Sequence, residues 1–139
     1  MPAVHIQLSH TLGNEDIQAR VSQAVLDITE KVLGKDRAVT AIFIDTLPTS
    51  NWWIDGTTLA ELQMTSYCLN IRITDETNTK KQKAEYIQRI HGVMEHLLGR
   101  VHPCSYVHVH DVRATSYGYE GKTQEHRYQA GLPSANVVR

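Results

Sequence analysis

Val4, Ile6 and Leu8 alternate with His5 and Gln7 near the start of the chain, which is the two-residue period of a half-buried strand. After a polar break, Ile17, Val21, Ala24, Val25, Ile28, Val32 and Leu33 recur at helical spacing and form one apolar stripe. Asn14 is the expected cap of that helix, Glu15 and Asp16 suit the positive end of its dipole, and Gly34 is the expected stop. The run from Val39 to Ile44 reads as a second strand, and Pro48-Thr49-Ser50-Asn51 as a turn ahead of Trp52-Trp53-Ile54-Asp55-Gly56. The first half is therefore β-α-β.

The second half repeats the first at a constant shift of 65 residues without a gap. Val4, Ile6 and Leu8 fall on Leu69, Ile71 and Ile73, and Ala19, Gln23 and Glu30 fall on the identical Ala84, Gln88 and Glu95. Leu33-Gly34 falls on Leu98-Gly99, Ile42 and Ile44 on Val107 and Val109, and Gly56 and Thr58 on Gly121 and Thr123. Thr79 with Gln82 supplies a capping box for the second helix. Residues 1–139 thus read as one domain of two repeats, 2–62 and 67–127, joined at Met64-Thr65-Ser66 and followed by a tail, 128–139.

Each unit is a parallel strand pair with a crossover helix, and such crossovers are nearly always right-handed. Two units paired edge to edge make an α+β fold: a four-stranded mixed sheet with both helices on one face. Ile6, Ile44, Ile71 and Val109 can face those helices, leaving His5, Gln7, Asn70, Arg72, Tyr106, His108 and His110 on the other side. That side is too polar for a second core and too ordered for bare solvent. A closed oligomer that turns it inward and pairs the sheet edges would satisfy both.

Composition narrows the function. Fourteen Lys and Arg against fifteen Asp and Glu, spread along 139 residues, give no electrostatic case for nucleic acid or an anionic membrane. Cys68 and Cys104 are too few for a disulfide framework, lack CxxC spacing, and are expected to be small buried or half-buried residues in a reducing compartment. With no leader-like segment and no apolar run of membrane-spanning length, the expected location is the cytoplasm. His108 and His110 stand about 7 Å apart along a strand, but no acidic or cysteine-rich set completes a metal site, so neither metal nor cofactor is expected.

Candidate chemistry lies at the amino terminus. Pro2 is small enough for Met1 to be trimmed, which would expose a secondary amine at the head of a strand. An α-amino group titrates near pH ~8 and a secondary amine somewhat higher, while burial and nearby cations lower that value. Such an amine is a general base that can take a proton from carbon beside a carbonyl and return it elsewhere. If Met1 stays, the nitrogen is an amide without basicity.

Met1-Pro2, the tandem β-α-β and the Trp52–Gly56 segment together resemble the tautomerase superfamily, most closely a fused two-unit form of 4-oxalocrotonate tautomerase, over Pro2 to about Arg127. The resemblance implies a homotrimer whose three sheets form a barrel, with active sites between subunits and a small oxo- or enol-acid substrate. It implies Pro2 as catalyst, one site per chain, since the repeat places Tyr67 at the equivalent position. The arginines used by single-unit relatives are absent: Leu12 and Ala41 hold those places in the first unit, Thr77 and Tyr106 in the second. Lys35 sits where macrophage migration inhibitory factor has its substrate-contacting lysine, and Tyr106 and His108 match that family's tyrosine and asparagine. Trp52 matches the aromatic wall, and Arg72 joins these as a substrate-binding candidate. The activity so implied is cofactor-independent tautomerisation. The alternatives are a decarboxylase or dehalogenase/hydratase with a protonated Pro2, or a trimeric binding protein without chemistry.

Overall fold

A computed structural model describes residues 2–13 and 16–131; Met1, the predicted capping residues Asn14 and Glu15, and the tail beyond Gly131 lie outside the described residues. Strand β1 (Ala3–Ser9) is followed by helix α1 (Ile17–Leu33), strand β2 (Ala41–Thr46) and a hairpin of β3 (Trp53–Ile54) and β4 (Thr57–Thr58) that runs into a short helix α2 (Leu59–Leu62). The second series is β5 (Ser66–Thr74), α3 (Lys80–Leu98), β6 (Tyr106–Val112), a hairpin of β7 (Gly118–Tyr119) and β8 (Lys122–Thr123), and α4 (Gln124–Gln129).

The main sheet has the order β2-β1-β5-β6. β1 runs parallel to β2 and β5 parallel to β6, while β1 and β5 are antiparallel, so the sheet is mixed. Val4, Ile6, Leu8, Leu69, Ile71 and Ile73 are fully buried and share a core with Val21, Val25, Tyr86, Ile90 and Met94 of the two helices. Strand alternation sends the remaining positions to the opposite face, where Phe43 and Tyr106 are half exposed. Within the core, the Tyr86 hydroxyl meets the Thr29 hydroxyl at 2.8 Å and Thr29 also donates to the Val25 carbonyl at 2.7 Å, so these two buried hydroxyls are partnered.

Local signals explain most of the element ends. α1 stops at Gly34, in the left-handed region at φ 67°, where its N–H closes on the Glu30 carbonyl. α3 starts with the capping box of Thr79 and Gln82. The second strand begins later than the apolar run suggests: Arg37–Val39 form a 3₁₀ turn, because the Asp36 carboxylate accepts from Ala38 N–H at 2.9 Å and the Asp36 carbonyl from the Thr40 hydroxyl at 2.7 Å. Val39 is therefore a turn residue. Asp55-Gly56 and Glu120-Gly121 close the two hairpins with positive φ at both positions, the geometry of a tight primed turn.

The second hairpin is the tighter closed. A Cβ built on Gly118 would lie 1.9 Å from the Lys122 carbonyl oxygen, so Gly118→Ala must push the two strands apart. Hydrogen exchange at the Tyr119 and Lys122 amides should speed up in that variant while the main sheet keeps its protection, and unchanged exchange there would contradict the close approach. In the core, Ile71→Ala should cost about 2–5 kcal/mol. Loss of the Thr79 cap in Thr79→Ala should cost about 1 kcal/mol. Urea midpoints at one fixed protein concentration measure both, and equal shifts would show that packing at Ile71 is not the larger effect.

Candidate active site

Pro2 is buried, and its carbonyl accepts a hydrogen bond from Ala41 N–H at 3.3 Å, at the head of β2. Because Ala3 lies opposite Arg72, Pro2 comes next to the carboxyl end of β5, at Ile73 and Thr74. Pro2 thus lies between the two strands that flank β1.

α1 runs back along the sheet, so its carboxyl end returns to the Pro2 end. Lys35 emerges there, half-buried, and its ammonium donates to the Thr77 hydroxyl at 2.9 Å. Burial pushes the Lys35 pKa below its ordinary value, opposed by the nearby Asp111 carboxylate. Asp111 itself pairs with Lys83 at 2.5 Å. The loop carrying Lys35 is fixed from both sides: the Asn78 amide donates to the Leu33 carbonyl at 2.9 Å, and Arg37 binds Asp27 and Glu30 of α1 at 2.8 and 3.1 Å.

Of the sequence-predicted residues, Pro2 and Lys35 share this end of the sheet on the helix side, while Arg72 is at the same end on the opposite face. Arg72 is exposed on the open face, opposite Ala3 on one side and His110 on the other. Tyr106 and His108 do not join them. Tyr106 is in register with Cys68 and so with Gln7, about 17 Å along the strands from Pro2, and His108 with Asn70 and so with His5, about 10 Å away. Their rings stack at 5.5 Å, and the Tyr106 hydroxyl meets Cys104 Sγ at 3.5 Å, a contact that raises the tyrosine pKa. Cys104 is exposed, against the burial expected of it, because it precedes β6 on the open side; Cys68 is half-buried as expected.

Trp52 also stands at the far end. Its carbonyl accepts from Leu59 N–H at 2.9 Å, and Leu59 shares a cavity with Thr11 and Thr65, which follow β1 and precede β5. Its counterpart one repeat on, Tyr117, lies at the Pro2 end, where its hydroxyl meets that of Thr74 and burial pushes its pKa up. The repeat register contains this signal, since Trp52 plus one period is Tyr117. At the equivalent of Pro2, Tyr67 is buried with its hydroxyl on His91 Nδ1 at 2.9 Å, and its pKa is pushed up to about 12, chiefly by burial.

A cavity of about 750 Å³ opens at the Pro2 end, lined by Thr74, Asp75, Thr77, Arg113 and Glu125 among others. Arg113, just past β6, is a cation that pattern reading alone does not single out. Among the described residues no three His, Cys, Asp or Glu side chains converge on a common point as a metal cage. Among the described residues no helix is long and apolar enough to cross a membrane.

No family model and no curated protein matches the chain. Solved structures do. A fused 4-oxalocrotonate tautomerase, a symmetric trimer, is 14% identical with a TM-score of 0.76 over 89% of this chain and 97% of its own. A macrophage migration inhibitory factor-like protein from Entamoeba histolytica is 20% identical, TM-score 0.71, over 88% and 97%. A member of the cis-3-chloroacrylic acid dehalogenase family is 15% identical, TM-score 0.69, over 93% and 92%. The relatives so matched are tautomerase superfamily proteins, and this chain carries their fold along most of its length.

Proposed function

We propose that the chain is a member of the tautomerase superfamily and works as a cofactor-independent tautomerase in which Pro2, freed of Met1, is the general base on a small 2-oxo or enol acid. The observation that carries this reading is the buried proline at the head of a central strand, with a half-buried cation, Lys35, at the same end of the sheet. A like charge and burial both favour the neutral amine, which brings its pKa toward working pH. Pro2 takes a proton from the enol hydroxyl, or from carbon beside the carbonyl, and returns it to another atom of the resulting conjugated enolate. Lys35 stabilises negative charge developing on the substrate oxygen.

The remaining members of the site come from a neighbouring copy. Tyr106, His108 and Trp52 are too far from Pro2 within one chain, while a trimer with the open faces turned inward can bring them beside the Pro2 of the next subunit. Supporting this are the polar open face, the sheet edges at β2 and β6, and the symmetric trimer formed by the fused protein of the same fold.

Pro2→Ala should abolish isomerisation of phenylenolpyruvate by the trimmed protein, and equal rates would sink the base reading. Activity should fall as pH drops through the Pro2 pKa. In Lys35→Met a neighbouring positive charge is gone, protonation of Pro2 becomes easier, and the acid limb should move to higher pH; a limb that moves down or stays put would remove Lys35 from the site. Mixing inactive Pro2→Ala with inactive Tyr106→Ala subunits should restore up to about a quarter of the wild-type rate, because half the prolines and half the tyrosines meet at random in a ring. No recovery after verified subunit exchange would place the site within one chain.

A further inference from the structure

The repeat gives the chain two versions of one cavity, and they differ in charge. At the far end, about 360 Å³ is lined by Thr11, Thr49, Leu59, Ala60 and Gln63 together with Met64 and Thr65, and none of these is charged. The matching positions at the Pro2 end are Glu76, Ala114, Gln124, Glu125 and Tyr128, joined by Asp75 and Arg113 in a space of about 750 Å³. Thr11 has become Glu76, and Ala60 has become Glu125. The fold does not require these charges, because the sister cavity is built without them.

We infer that this cavity receives the part of the substrate that points away from Pro2, and that it selects acids with a single carboxylate and an uncharged or cationic polar remainder, rejecting dicarboxylates. This rests on the Pro2 reading. Near Pro2, a substrate carboxylate finds Lys35. In the cavity, a second carboxylate would find Asp75, Glu76 and Glu125 against Arg113 and the Lys35 ammonium that Thr77 holds, with hydroxyls from Thr74 and Thr77. A second carboxylate there meets like charge in a partly enclosed space, where repulsion is stronger than in open water. A hydroxyl, amide or ammonium meets acceptors instead. Asp111, also at this end, is held by Lys83 and is largely neutralised in that pair.

Sorbate and (E,E)-muconate share one six-carbon diene skeleton and differ by one carboxylate, so their affinities isolate the charge. Chemical-shift titration of the trimmed protein at low ionic strength should show sorbate binding about tenfold more tightly or better. In the double variant E76Q/E125Q the gap should close to about threefold or less. Equal affinities in the wild type, tighter binding of muconate, a gap that the double variant leaves unchanged, or binding of neither acid would overturn the inference. Because the readout is binding, a preference for sorbate together with no loss of turnover in Pro2→Ala would overturn the base reading and leave the charge selection standing.

Discussion

The antiparallel pairing of β1 with β5 is the constraint on which the rest depends. It runs for seven residues, from Ala3 opposite Arg72 to Ser9 opposite Ser66, and among the described residues it is the only ladder of the main sheet that joins the two repeats. Each β-α-β unit alone has one sheet edge that must be covered and one helix that must share its apolar stripe. Pairing β1 with β5 answers both needs, since it brings α1 against α3 over one continuous core. The same ladder fixes chemistry. It sets Pro2 beside the carboxyl end of β5 and Tyr67 beside the carboxyl end of β1, so two strand starts that are equivalent by repetition have opposite fates. One is a buried proline at the chain's beginning, the other a buried tyrosine bonded to His91.

Around Pro2, parts from both repeats converge. The first supplies Pro2 and Lys35; the second supplies Thr74, Thr77, Arg113 and Tyr117. The Asn78 amide on the Leu33 carbonyl and the Lys35 ammonium on Thr77 cross the boundary between repeats at this point. Arg37, bound to Asp27 and Glu30, stiffens the turn that carries Lys35. These surface pairs contribute little stability individually. Their effect is geometric, holding a half-buried ammonium in one place where a flexible lysine would otherwise sample many.

Much of the fold was legible in the sequence because its signals are local and repeated. The alternation at Val4, Ile6 and Leu8, the stripe ending at Gly34 and the Thr79 box each act within a few residues. Val39 misled because a strand-like side chain cannot compete with Asp36, whose carboxylate and carbonyl capture the following backbone in a turn. The site was harder. Pro2 and Lys35 announce themselves by position, but pairing by similarity of role pointed to Trp52 as the aromatic, while the antiparallel ladder puts its counterpart Tyr117 at the proline end. Arg113 carries no pattern of its own; it matters because β6 ends where it does. Such facts depend on which strand ends meet, and no single stretch of sequence contains them.

The two repeats are joined by only a short connection, Gln63 to Thr65, between α2 and β5. Were the units separate chains, the near side of the Pro2 site would form only when two molecules met, and its occupancy would fall on dilution. Covalent linkage makes that meeting intramolecular, at an effective concentration set by the connection and not by how much protein is present. The near half of the pocket is thereby made insensitive to abundance. In the proposed trimer, only the contribution of the neighbouring subunit would be left to mass action.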